Sequence, residues 1–264
     1  MNLKSHNYLL LNKEGIFPGP EETEENFISR IDQLRTTLPL PGHPLTPQDW
    51  QEAHHLLQPI LDIQPFWVPA FYQNKKLSLW EGAAIWDCEG ISVVQLRNRF
   101  KKGQFGLVKR EEVLAHEAAH ASRMAFRESR FEELLCYQTS YQTWRKYLGP
   151  LFRRPWEAAI CLSAIVLGWI WGILGFTPLA IITPWLPFCF FLVRLSRDHL
   201  IFRRCLKNIS PLLKEKAEAL AVALRLSDRE ILLFANASRE KIISYISGQS
   251  ELRWTVIAAT YFSL

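Results

Sequence analysis

The chain has 264 residues, 48% of them hydrophobic, and a formal net charge of +5. That length suits one substantial domain with appendages, and that apolar content excludes wholesale disorder. The five cysteines (88, 136, 161, 189 and 205) are odd in number and form no C-x-x-C pair, which argues against a disulfide framework or cysteine-ligated zinc and for reduced thiols.

In chain order, residues 1–15 lack the charged-then-apolar layout of a signal peptide and are expected to lie against the domain. Residues 16–22 read as a loop entering a helix over about 22–37, with an acidic cluster favouring its N-terminus. Those acids suit a solvated helix start better than a cation site. Residues 38–47, with prolines at 39, 41, 44 and 47, form an extended surface connector. Thr46 and Pro47 supply an N-cap and N1 pair for a helix reaching about Ile60. His54 and His55 on it are neighbours that point in different directions, which makes them poor joint ligands. From Pro65 the texture changes: residues 66–72, 77–86 and 91–100 are rich in β-branched and aromatic residues. Turn signals at Gln73-Asn74 and Glu89-Gly90 separate them, and a sheet of two or three strands is expected.

Residues 109–126 contain no Gly or Pro and open with Glu111 and Glu112, which predicts a helix. On it His116, Glu117 and His120 form the pattern H-E-x-x-H. Residues four apart share a helix face, so His116 and His120 can present two imidazoles to one ion. The chemistry suits Zn²⁺: neutral imidazoles hold it, a third protein ligand completes the set, and a fourth position is left to water. Glu117 is placed to take a proton from that water and pass it to a leaving amine. The plain alternative is an amphipathic helix whose histidines are surface or core residues. Further on, Ser129-Arg-Phe-Glu132 has the S-x-x-E form of a capping box, so a second helix is expected from Ser129, capped by Glu132, with Glu133 turned toward the metal. Glu132 is the alternative third ligand, and exposed salt bridges are the non-metal role for both.

H-E-x-x-H followed by a helical glutamate resembles the gluzincin metallopeptidases. Ser129-Arg130-x-x-Glu133-x-x-Cys136-Tyr137 is similar to the S-R-x-x-E-x-x-A-D string of membrane gluzincins of the CAAX-prenyl-protease and HtpX type, a resemblance that implies Glu133 as the zinc ligand. It covers about residues 109–145 and departs from the pattern twice. Tyr137 stands where those families carry an Asp that buttresses a ligating His, and the gap from His120 to Glu133 is much shorter than theirs. At ~1.5 Å of rise per residue, the first helix must end early or bend for Glu133 to reach the histidines. The resemblance also implies that the last strand before the helix, residues 91–100, forms the edge of a cleft and pairs with an extended substrate. An ordinary core strand is the alternative.

Residues 156–175 are an almost uncharged run of 20 residues, long enough to cross a hydrocarbon layer of ~30 Å. Residues 179–193 are also apolar but carry Pro184 and Pro187, so the pair reads as a transmembrane helical hairpin with a kinked, shallow or re-entrant second leg. Arginines and lysines at 145, 146, 153 and 154 precede it, and others at 194, 197, 203, 204 and 207 come after it. This places both flanks in the cytoplasm and fits anionic headgroups better than nucleic acid. A hairpin buried in a soluble protein is the alternative. Residues 200–264 read as helical throughout: a long helix over about 209–224, one opened by a Ser227–Glu230 capping box, and two more over about 238–247 and 250–262. They carry no basic recognition face and are expected to pack on the catalytic half.

The expected architecture is therefore α+β and mainly helical. An N-terminal helical region (1–64) precedes a minimal zincin-like core with its small β-sheet ahead of the H-E-x-x-H helix (65–150), interrupted by a transmembrane hairpin (156–195) and completed by a C-terminal helical region (196–264). The expected function is a membrane-anchored zinc metallopeptidase, multi-pass with both termini cytoplasmic, acting on a peptide or protein substrate. One Zn²⁺ is held by His116, His120 and Glu133, and Glu117 is the catalytic base. No further cofactor and no nucleic-acid partner are expected, and Tyr137, Tyr141 or Arg123 could support the oxyanion. Two other readings stand beside it: a non-catalytic membrane scaffold or assembly protein with a structural or vestigial metal site, and a membrane-tethered regulator using its C-terminal helices on DNA.

Overall fold

In the computed structural model, which describes residues 3–36, 39–77, 81–88 and 90–263, helices α1 (Leu3–Lys13) and α2 (Glu24–Leu34) come first. Thr23 caps α2 by accepting the Asn26 backbone N–H, with Glu24 and Glu25 in the first turn. Phe27, Ile31 and Leu34 meet Leu11 and Ile16 in one apolar cluster, so the N-terminal segment lies against the domain. The helix stops short of its expected end, and Thr37 lies outside the described residues. The proline-rich connector is more than a surface strap, because within it β1 (His43–Pro44) pairs antiparallel with β2 (Ala70–Tyr72). A Thr46–Asp49 capping box with Pro47 in the first turn opens α3 (Pro47–Leu61). On it His54 is buried and stacked on Trp50, as a core residue.

Two further strands, β3 (Ala83–Cys88) and β4 (Ile91–Leu96), complete a mixed sheet of order β1-β2-β4-β3. β4 runs parallel to β2 and antiparallel to β3, with Ile85 opposite Val94. Residues 78–80 and Glu89, which belong to the predicted second strand and its turn, lie outside the described residues. The expectation that residues 91–100 form a cleft edge is corrected here. β4 is buried along its whole length, paired with β3 throughout and with β2 over Val94–Leu96, so it is an inner strand and the edge on that side belongs to β3. The near-continuous apolar run of β4 is the pattern of a strand covered on both faces.

A short hairpin, β5 (Gln104–Phe105) with β6 (Val108–Lys109), leads into α4 (Arg110–Arg123). Leu114, Ala115, Ala118, Ala119 and Ala121 of α4 share one core with Leu57 and Leu61 of α3 and with Val94 and Leu96 of β4. Alanine at these positions lets backbones approach closely and keeps α4 rigid under the sheet. The helix ends sooner than its composition predicts: Met124–Phe126 tighten into a 3₁₀ turn, and Arg127 takes a left-handed conformation at φ 51°. α5 (Glu132–Cys136) and α6 (Thr143–Leu148) come next.

After them stand α7 (Pro155–Ile173) and α8 (Thr177–Ile209), joined at Gly175, whose φ of +82° reverses the chain. The second leg is neither short nor interrupted. α8 runs 33 residues through Pro184 and Pro187, ~50 Å at 1.5 Å per residue. The two legs pack closely at Gly168, where an added Cβ would stand 2.7 Å from Pro184 Cγ. Stretches long and apolar enough to cross a membrane span Trp156–Ile173 and Thr177–Leu212, with only 11% of each apolar window buried. A helix hidden in a soluble core would be mostly covered.

The expected long helix over 209–224 does not form. Pro211 cannot extend α8, so Ser210–Leu212 become a 3₁₀ turn, and α9 (Ala219–Leu224) starts afresh. α10 (Asp228–Asn236) opens with the predicted Ser227–Glu230 capping box, and α11 (Arg239–Ser247) and α12 (Leu252–Tyr261) complete the chain. Their apolar faces close over the second half of α8 and over α5, with Phe131, Leu135, Phe202, Ile231, Phe234 and Trp254 in one core. The architecture is mainly helical, with one small mixed sheet and two long apolar helices.

Candidate metal centre

α4 places His116 and His120 one turn apart, and α5 brings Glu133 to meet them. His116 Nε2 lies 3.2 Å from His120 Nε2 and 3.6 Å from Glu133 Oε2, while His120 Nε2 lies 3.4 Å from Glu133 Oε1. Ligand atoms at ~2.0–2.2 Å from one tetrahedral zinc stand roughly 3.3–3.5 Å apart, so the triangle has the size such an ion requires. It closes because α4 stops at Arg123 and the 3₁₀ turn folds the chain back, the early ending that the short gap to Glu133 demands.

The outer ring atoms decide what the inner ones offer. His120 Nδ1 is 2.9 Å from Glu132 Oε1, and the backbone of Cys136 lies close enough to His116 to favour its charged form. A ring nitrogen facing a carboxylate carries a proton, which leaves Nε2 of His120 as the atom turned toward the centre. Two ring nitrogens and a carboxylate then converge, an arrangement that positive charge between them stabilises, whether a proton or a cation. Burial, then neighbouring His120, pushes His116 down to about 3. Burial also opposes charge on His120, but Cys136, Glu132 and Glu133 outweigh it and lift that ring well above the ordinary histidine range. Burial would raise Glu133, yet the two imidazoles hold it below the usual carboxylate range. A proton on this triad supplies one positive charge and a divalent cation would supply more, and a donor set of two imidazoles and a carboxylate suits zinc.

The predicted Ser129–Glu132 capping box is not made. α5 begins at Glu132 with no side-chain cap, and the carboxylate of Asp228 on α10 accepts the backbone N–H groups of Arg130 (2.9 Å) and Phe131 (3.3 Å) instead. This cap comes from a residue 97 positions away, which no local pattern announces, and it frees Glu132 for His120. In sequence Glu132 has the role of the cap, with a third ligand or an exposed salt bridge as its alternatives. Adjacent helical residues point ~100° apart, so the two glutamates address different nitrogens of one ring, and that spacing was the available signal. Glu132 thus supplies the carboxylate–histidine contact that the resembled families draw from the position of Tyr137.

Of the three candidate oxyanion donors, two are occupied elsewhere. Arg123 is buried and donates to Leu224 O (2.6 Å) and Leu226 O (2.9 Å). Tyr141 is exposed, under the Lys109 ammonium. Tyr137 lies at the site, its ring centroid 4.5 Å from that of His116. Burial, then the charge of Glu133, raises its pKa, while a hydrogen bond from Arg145 works the other way. Arg145 is itself fixed by Glu112, 2.6 Å away. Glu117 is half-buried, and its carboxyl is pushed up to about 7, first by burial, with His120 lowering and Glu133 raising it. A carboxyl poised near neutrality can both take and return a proton.

Among the described residues the cluster has three potential ligands. The nearby thiol of Cys136, pushed up to about 11 by burial, is not a member of that cluster. No protein-family model matches the chain, and no curated protein and no solved structure matches it either.

Proposed function

We propose that the protein is a membrane-anchored zinc metallopeptidase with its site on the cytoplasmic side. The observation that carries this reading is the triangle of ligand atoms at His116, His120 and Glu133, with three members and a glutamate beside them poised near neutrality. Catalytic zinc sites characteristically have three protein ligands, and structural sites have four. When bound, zinc supplies Lewis acidity toward a peptide carbonyl and lowers the pKa of water. Glu117 takes the proton from the attacking water and returns it to the leaving amine. Glu132 holds the His120 ring in its tautomer. Tyr137, steadied by Arg145, is the hydroxyl nearest the ligands and the candidate donor to the developing oxyanion.

The membrane reading is supported by the exposure of both apolar legs and by the arginines at their feet. The site is tied to that boundary: Arg130, two residues before Glu132, meets Asp198 of α8 at 3.1 Å. The test is the full-length protein in detergent, assayed for zinc and for cleavage of a peptide library. About one zinc per chain is expected, and Glu117→Gln should keep the metal while cleavage falls by about 10²–10⁴. Cleavage unchanged in Glu117→Gln, or zinc retained with no cleavage of any peptide, would overturn the reading and leave a structural site.

A further inference from the structure

A groove of about 450 Å³ opens at the foot of the α7/α8 hairpin. Arg153, Arg154 and Arg194 line one end of it, and Ile160, Pro187 and Phe190 line the other. The polar end is positively charged even after its internal pairing. Glu157 accepts two hydrogen bonds from Arg194, at 2.6 and 2.7 Å. Asp198 is shared between Arg153 and Arg130. Arg154 is exposed, and among the described residues it makes no ion pair. On the groove itself three guanidinium groups thus meet one carboxylate, that of Glu157. The apolar end is open, with Ile160 and Phe190 both exposed, and Trp156 stands exposed between the two ends. A tryptophan at such a junction of polar and apolar surface is characteristic of the headgroup level of a bilayer.

We infer that this groove is a binding site for one anionic phospholipid, its phosphate on Arg154 and the neighbouring guanidinium groups and an acyl chain along Ile160, Pro187 and Phe190. The inference rests on the membrane reading of the hairpin and is independent of the peptidase reading. A soluble phosphate would use only the polar end and leave the apolar half unexplained. A zwitterionic lipid carries an ammonium beside its phosphate, which surplus arginine charge disfavours. Ser129, also on the groove, lies three residues before Glu132, so a lipid held there would touch the loop that enters the metal centre.

The test uses the full chain, first inserted into vesicles and checked for resistance to alkaline extraction, then released from neutral detergent for native mass spectrometry. The detergent contains equal amounts of phosphatidylglycerol and phosphatidylethanolamine. One phosphatidylglycerol per chain should be retained in preference to phosphatidylethanolamine. Arg154→Glu, at an exposed and unpaired position, should weaken that retention roughly 10- to 30-fold. Arg204→Glu, also exposed on α8 but outside the groove, should leave it unchanged. Equal retention of both lipids, or equal loss in the two variants, would overturn the site in favour of diffuse surface attraction. Displacement by inorganic phosphate as readily as by phosphatidylglycerol would overturn the lipid in favour of a free anion. A chain that fails to insert at all would overturn the membrane reading and this inference with it.

Discussion

Glu230 and Glu133 are both carboxylates faced by nitrogen, and they differ in what those nitrogens bring. Glu230 on α10 accepts from both terminal nitrogens of Arg253 (2.8 Å each), from Trp254 Nε1 and the Ser227 backbone (2.7 Å each), and from Tyr245 Oη (3.1 Å). Every neighbour is a permanent donor, so the carboxylate is saturated by its own chain and joins α10 to α11 and α12. Glu133 on α5 faces the Nε2 atoms of two imidazoles, with Glu132 on the outer nitrogen of His120. A saturated carboxylate has nothing left to offer a ligand. One that faces imidazoles and no permanent donor keeps lone pairs for a cation, and that contrast separates scaffold from site more sharply than burial does.

The comparison can be broken by removing each centre in turn. The double variant His116→Ala/His120→Ala should lose zinc altogether, from one per chain to none by elemental analysis. In chelator the fold should be almost indifferent, changing by ~1 kcal/mol or less, because α4 is held by its alanine and leucine face. Glu230→Gln should behave in the opposite way. It leaves the Arg253 guanidinium buried against a neutral amide, so a cost of about 3–5 kcal/mol is expected, read from thermal unfolding in chelator, with zinc per folded chain unchanged. A collapse of the histidine variant, or a thermally indifferent Glu230→Gln, would erase the distinction.

The same contrast has a pH signature. Burial alone would raise Glu230, but Arg253 outweighs it and the folded pKa is depressed. The unfolded value is ~4.3, so the carboxylate's contribution is fully present above that and is lost as pH falls through the folded value. The wild type should therefore lose stability on acidification below about pH 4.3, and Glu230→Gln should lose less over the same interval.

The features legible in the sequence obey local rules. The i, i+4 histidines, the capping boxes at Thr46 and Ser227 and the apolar hairpin each satisfy a constraint contained within a few residues. The misreadings fall where distant residues decide. Ser129 lost its cap to Asp228, which is 98 residues from Arg130. Arg123 was drawn into carbonyls of the α9 end, and β4 became internal because β3 folded to its outer side. The helix expected over 209–224 fails because α8 already runs to Ile209 and Pro211 turns the chain there, so that α9 occupies only Ala219–Leu224 of that span. Glu132 is intermediate: its neighbourhood was legible, but its partner nitrogen was not.

That residue gives the smallest and most discriminating prediction. If Glu132 acts on the outer nitrogen of His120, Glu132→Ala should weaken zinc binding by about 10- to 100-fold, the usual cost of losing a carboxylate behind a ligating histidine. Competition against a chromophoric chelator would measure it. Glu132→Gln should fall between, because its amide oxygen can still accept the Nδ1 proton but brings no charge to stabilise it. Glu133→Ala removes a ligand outright and should abolish stoichiometric binding under the same conditions. The ordering matters more than any one value. Were Glu132→Ala to lose zinc as completely as Glu133→Ala, both acids would be ligands and the centre would have four, the number of a structural site. Were it to bind as tightly as the wild type, the 2.9 Å contact would be an ordinary surface hydrogen bond, and the case for an ion at this centre would stand on the triangle of His116, His120 and Glu133 alone.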